Sequence, residues 1–199
     1  MKTMSKHIAI IQGHPDSRGD HYLHALASAY AKSAKEAGHE INLIRVASLD
    51  FPLLQSKEDF ERGTPPEVIQ QAQKTIAWAD HLVIFYPLWL GSMPALLKGF
   101  LEQVFRPVFV TGEAAAGTEW KKRLLKGKTA RIVVTMGMPA FIYRWFYGAH
   151  SLKSLERNIL GFCGIGPIKE SLIGMVEAPD NTRREKWLEK LRILGREGR

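Results

Sequence analysis

Short apolar runs alternate with amphipathic stretches along this chain, and each pair reads as a strand followed by a helix. Ile8 to Ile11 is the first run, and a polar loop, Gln12 to Asp20, follows it. From about Tyr22 the apolar Leu23, Leu26, Ala27, Tyr30, Ala31 and Ala34 recur at helical spacing until Gly38, a residue that suits a helix end. Ile41 to Val46 predicts a second strand. A polar, turn-rich excursion comes next, with Phe51-Pro52 and Gly63-Thr64-Pro65-Pro66, before a helix over Glu67 to Ala79. His81 to Tyr86 is apolar, β-branched and aromatic, as expected of a strand buried on both faces of a parallel sheet. Pro87 has no N–H to continue a ladder and ends it. Pro94 suits a first helical turn, and Ala95 to Val104 supplies the helix.

Arg106 to Gly117 reads as irregular and Glu119 to Lys126 as helical; Gly127-Lys128 turns into a fourth strand, Ala130 to Thr135. A loop dense in aromatics, Gly137 to about Ser151, precedes a helix over Leu152 to Phe162, and Ile168 to Val176 offers a fifth strand. Thr182-Arg183-Arg184-Glu185 has capping-box spacing and starts a last helix carrying Trp187, Leu188, Leu191 and Leu194. The alternation predicts an α/β fold: a doubly wound parallel sheet of about five strands with helices on both faces. No G-x-G-x-x-G follows the first strand, which favours a flavodoxin-like strand order over a dinucleotide-binding Rossmann order. Residues 1–199 are expected to form a single domain.

The net charge of +8 changes the picture little, because the basic residues are dispersed. The densest clusters are Lys121-Lys122-Arg123 and Arg183-Arg184, and they read as solvated surface rather than a nucleic-acid site. Such a field still attracts anionic substrates, a nicotinamide dinucleotide among them. Cys163 is the only cysteine, so no internal disulfide forms, and a reducing cytoplasm is the expected setting. It sits among small and apolar residues as a structural thiol. The N-terminal segment lacks a signal-peptide pattern, and no apolar run approaches the roughly 20 residues of a membrane helix.

Loops at the carboxyl edge of such a sheet carry ligands. The first, Gly13 to Tyr22, ends at a helix N-terminus, where amides and the helix dipole attract anions; Ser17, Arg18 and His21 add donors, so a phosphate or pyrophosphate fits. The second carries Trp89, with Gly91 and Ser92, either as a ligand contact or as a core or dimer aromatic. An indole flanked by free amides suits a flat heteroaromatic ring, and a flavin is the first candidate. The third, Thr135 to His150, holds so many aromatics that they either cover a cofactor or form a subunit interface. Thr135 and Gly137 offer amides for ring carbonyls, and Tyr143 and His150 are its plausible proton donors. No P-loop, G-x-S-x-G elbow, H-E-x-x-H or paired metal-ligand spacing occurs.

Gly13-His14-Pro15, Phe85-Tyr86-Pro87-Leu88-Trp89, Met93-Pro94-Ala95-Leu96-Leu97-Lys98-Gly99, Leu125-Lys126-Gly127-Lys128 and Phe162-Cys163-Gly164 closely resemble the flavodoxin-like NAD(P)H:quinone oxidoreductase family. That family includes mammalian quinone reductases and bacterial oxidoreductases ancillary to glutathione-gated potassium efflux. The resemblance implies a homodimer with flavin, FMN or FAD, at the interface, reduced by NAD(P)H and reoxidised by a quinone in ping-pong hydride transfer. It also implies that His14, Ser17, His21 and Tyr22 hold the phosphate end. Pro87, Leu88, Trp89 and Leu90, with Thr135, Met136, Gly137 and Met138, would contact the ring, and Tyr143 and His150 would assist hydride transfer. The chain departs from the family pattern at Met136 and Met138, which replace Thr and Gly, at His21 in place of Asn, and in a Tyr143-to-His150 spacing one residue longer. A second expectation, from the ancillary relatives, is a flavin-binding redox-sensing subunit associated with a membrane potassium-efflux transporter. A flavodoxin-type electron carrier is disfavoured by the positive charge.

Overall fold

The computed structural model describes residues 5–111 and 125–199. Five parallel strands, β1 His7–Gln12, β2 Glu40–Arg45, β3 His81–Pro87, β4 Thr129–Thr135 and β5 Ile168–Ile173, form one sheet in the order β2-β1-β3-β4-β5. This is the flavodoxin-like order expected from the sequence. The helices are α1 Tyr22–Glu36, α2 Lys57–Arg62, α3 Glu67–Trp78, α4 Ala95–Val104, α5 Pro107–Thr111, α6 His150–Lys153 and α7 Asn181–Arg196. Helix α6 runs on into a π-helical stretch, Ser154–Gly161, and a second π-helical turn spans Ile142–Phe146.

Central strands β1, β3 and β4 are buried almost throughout, whereas edge strands β2 and β5 are only partly buried. Side chains of a strand point alternately to opposite faces, so each central run feeds two cores. Ile8, Ile10, Val83, Phe85 and Val133 meet Leu26, Tyr30 and Leu191 of α1 and α7. Ile11, Ile84 and Ile132 meet Ile76, Leu97, Phe100, Leu155 and Leu160 on the other face. Helices α1 and α7 cross so closely that a Cβ on Gly195 would lie 2.4 Å from the Tyr30 carbonyl oxygen.

Several boundaries differ from the sequence expectation. The excursion after β2 contains α2, capped by Ser56, whose Oγ accepts the Asp59 N–H at 3.0 Å. Buried Arg106 anchors it, donating to the carbonyls of Asp59 (2.6 Å) and Gly63 (2.7 Å). Part of the segment expected to be irregular after Arg106 is the short helix α5. The cap of α7 is Asp180, accepting the Arg183 N–H at 3.0 Å, so Thr182 already lies within the helix. Strand β5 stops at Ile173, where Gly174 and the left-handed Met175 turn the chain. Residues 119–124 of the expected helix ending at Lys126, including the basic cluster 121–123, lie outside the described residues. Among the described residues no helix is long and apolar enough to cross a membrane.

Candidate functional site at the carboxyl edge of the sheet

Asp16 organises the loop after β1. Its carboxylate accepts the Arg18 N–H (3.0 Å) and the Arg18 guanidinium through Nε (2.9 Å) and NH2 (2.8 Å). The Arg18 bonds hold that carboxyl well below the usual carboxylate range. His21 Nε2 lies 3.1 Å from the same carboxylate. His21 occupies the cap position of α1 without capping it, and no acidic residue stands in the first turn. The amides of Tyr22 and Leu23 therefore lack helical acceptors, and the positive end of the helix is uncompensated.

His14 is buried beneath this turn, its ring stacked on His21 with centres 3.9 Å apart. His24, one turn into α1, stands edge-on to both, at 5.2 Å from His14 and 5.4 Å from His21. His14 Nδ1 lies 3.1 Å from the Asp16 amide nitrogen and 3.2 Å from the Asp16 carbonyl oxygen, so the turn offers that nitrogen both a donor and an acceptor. Burial, and then His21, lowers the pKa of His14, and the same two causes lower that of His24.

In the loop after β3, the Leu88 N–H donates to the Thr135 carbonyl at 2.7 Å, joining the second loop to the third. Trp89 and Ser92 exchange backbone hydrogen bonds (2.8 and 2.9 Å) around Leu90 and Gly91, whose φ angles are 47° and 76°. This is a type I′ turn, which requires two left-handed residues. Leu90 is fully exposed and Trp89 half-exposed, its indole edge-on to His14 at 6.2 Å.

In the third loop Thr135 and Met136 are buried. Among the described residues the N–H groups of Gly137 and Met138 find no acceptor. The segment is held against the end of β5, where Met175 N–H donates to the Met138 carbonyl (3.2 Å). The Glu177 carboxylate stands over Gly137, 3.5 Å from where a Cβ would be. In the turn over Ile142–Phe146, Trp145 and Phe146 are 78% and 81% exposed, and Phe141 and Tyr147 are exposed beside them. Among the described residues, those left-handed without being glycine, Leu90, Ala149 and Met175, lie on the segments that follow β3, β4 and β5. Strain concentrated in this way is characteristic of functional sites.

The expected residues are gathered unevenly. His14, His21, Trp89, Leu90 and Gly137 lie on the converging loops with Pro87 and Leu88 beneath, and Ser17 is exposed at the loop tip. Tyr22 instead turns to α7, donating its hydroxyl to the Arg184 carbonyl at 2.8 Å under the Arg184 guanidinium. Tyr143 turns into the core. Its phenol oxygen accepts the Leu152 N–H (3.3 Å) and pairs with Ser151 Oγ (3.2 Å), so it is not presented to the rim. His150, seven residues on, is exposed at the start of α6. The sequence expectation omitted His24 and Ser151. The i, i+3 spacing of His21 and His24 on the first turn of α1 was the signal for the former.

Comparison with known proteins agrees with this architecture. An uncharacterised NAD(P)H oxidoreductase of Haemophilus influenzae is 29% identical over 188 residues, covering 90% of this chain and 89% of its own. An NAD(P)H dehydrogenase [quinone] 1 of Cavia porcellus is 25% identical over 203 residues, covering 88% and 71%. The solved NAD(P)H:quinone oxidoreductase of Methanothermobacter marburgensis superimposes with a TM-score of 0.78 at 24% identity, covering 97% of this chain and 96% of that one. The Flavodoxin_2 family model, described as a flavodoxin-like fold, matches residues 6–193. The chain belongs to the Flavodoxin_2 family.

Proposed function

We propose that this protein is a flavin-dependent NAD(P)H:quinone oxidoreductase. One observation carries the reading: the edge-on approach of Trp89 to His14 sets an aromatic wall directly beside a donor-rich anion site. A flavin is long, planar at one end and anionic at the other, and this donor set matches it. When bound, the flavin supplies the acceptance of hydride from NAD(P)H and its delivery to the quinone.

The residues supply position and electrostatics. The free amides of α1, with His14 and His21, would bind phosphate oxygens. The N–H groups of Gly137 and Met138 would donate to an electron-rich edge of a bound ring and stabilise negative charge there. Trp89, Leu90, Pro87 and Leu88 exclude water from one side. His150 holds a proton for the acceptor oxygen, and Tyr143, fixed by Ser151 and Leu152, positions the turn that leads to it. The exposed Phe141, Trp145, Phe146 and Tyr147 form a face suited to burial in a homodimer. The cytoplasm is the setting that fits a lone, buried cysteine. The transporter-associated sensor has no observation of its own in its favour.

Purified protein is tested by its visible spectrum and by NAD(P)H oxidation with and without a quinone. Yellow protein with quinone-dependent oxidation is expected. Protein that stays colourless after reconstitution with flavin, and is inert, refutes the proposal.

A further inference from the structure

Resting on the flavin reading, we infer that the Glu177 carboxylate tunes the redox chemistry of this site. It is a fixed negative charge beside the amides of Gly137 and Met138, and it lowers the reduction potential of the ring they hold. Glu177 follows β5, on a turn knitted to the third loop. The N–H groups of Met175 and Val176 donate to the carbonyls of Met138 and Met136, both at 3.2 Å, and Ala178 N–H closes the turn on the Met175 carbonyl at 3.2 Å. The packing beneath is equally close. A Cβ on Gly174 would lie 2.4 Å from the Ala140 nitrogen and 2.5 Å from the Met138 carbonyl oxygen. Backbone on both sides of Glu177 is thus pinned, and its carboxylate lies across Gly137, its oxygens 3.5 and 3.7 Å from where a Cβ would stand.

This charge has no near neighbour to cancel it. Glu177 accepts no hydrogen bond and forms no ion pair among the described residues, and neither the Gly137 nor the Met138 amide donates to it. The chain as a whole, at +8, attracts anionic ligands, so an acid at the ring end works against binding and has another use. Hydride from NAD(P)H brings two electrons and one proton; NAD(P)+ leaves, and the ring edge gains one negative charge. That charge departs when the hydride, with one further proton from water, converts the quinone to hydroquinone. Donor amides stabilise the charge, and an adjacent carboxylate opposes it. The opposition disfavours the reduced ring. Delivery of hydride to the quinone becomes more favourable, and its uptake from NAD(P)H less so.

Parent protein, Glu177→Gln and Glu177→Lys are reconstituted with FMN, or with FAD where FMN is not retained, and equilibrated with redox dyes. Glu177→Gln is expected to shift the ratio of reduced to oxidised flavin at a given potential roughly tenfold toward the reduced form, about 30 mV for a two-electron couple. Glu177→Lys should go further in the same direction. Both differences should shrink in about 1 M salt, which a merely structural effect would not show. Glu36→Gln removes a carboxylate at the far end of α1 and should leave the potential where it is. A potential unchanged or lowered in Glu177→Gln, or moved equally by Glu36→Gln, overturns the inference and leaves the flavoprotein reading standing. A parent that binds neither flavin removes both.

Discussion

The indole of Trp89 stands edge-on to the imidazole of His14, with ring centres 6.2 Å apart, across the gap between the loops that follow β3 and β1. The two residues are far apart in sequence but are brought together because β1 and β3 are neighbours in register, Gln12 beside Phe85. Trp89 is half-exposed, so its replacement costs the fold little. Trp89→Ala is expected to leave thermal unfolding within a few degrees of the parent, while flavin affinity or the KM for NAD(P)H worsens roughly tenfold, the scale of one aromatic contact. Unchanged binding with a large drop in melting temperature would make Trp89 a structural residue.

Leu90 is both fully exposed and left-handed, in a turn whose preferred central pair is Asn-Gly. Leu90→Asn is expected to stabilise the protein by roughly 1 kcal/mol, read as a raised denaturant midpoint. A side chain kept at that strain has a use. Turnover with NAD(P)H and quinone should therefore fall in the same variant.

His81 is buried, its Nδ1 2.7 Å from Thr129 Oγ1 and its Nε2 without a partner, and burial pushes its pKa down from 6.5 to about 3. A base with a lowered folded pKa binds fewer protons folded than unfolded, so its neutral state favours folding fully above pH about 6.5 and costs stability as pH falls toward the folded value. Urea unfolding from neutral to about pH 4 should show a loss of roughly 2–4 kcal/mol from this group. His81→Gln should flatten that slope. An identical slope in the variant would assign the acid sensitivity elsewhere, to His14 and His24 first.

Gly195 lies where α7 meets α1, with no room for a methyl group against the Tyr30 carbonyl. Helix propensity alone would make Gly195→Ala stabilising by up to about 1 kcal/mol. The steric conflict reverses the sign, and a loss of roughly 1–3 kcal/mol is expected by chemical denaturation.

The exposed turn bearing Trp145 and Phe146 offers a direct test of self-association. Under the homodimer proposal, Phe146→Asp should shift sedimentation from dimer to monomer and lower flavin retention. A parent protein that sediments as a monomer would leave this apolar face without the partner proposed for it.

The sequence by itself determined the strands, the order of elements and the convergence of the loops. The uninterrupted apolar runs of β1, β3 and β4 suit burial on both faces, and strand–helix alternation forces parallel pairing. Helix α4 appears at its expected bounds because Pro94 and the Ala95-to-Val104 spacing define it locally. Only the tertiary structure decided where side chains on irregular backbone turn. Tyr143 and His150 look equivalent as proton donors in sequence, yet a π-helical turn swings one phenol inward to Ser151 and leaves the imidazole outside. Tyr22 was drawn to α7 by Arg184, a residue distant in the chain, and the stacking of His14 on His21 depends on the sharp Asp16–Arg18 turn. Periodicity encodes which face of a regular element is buried; it carries no information about contacts made across loops, where long-range partners choose the rotamer.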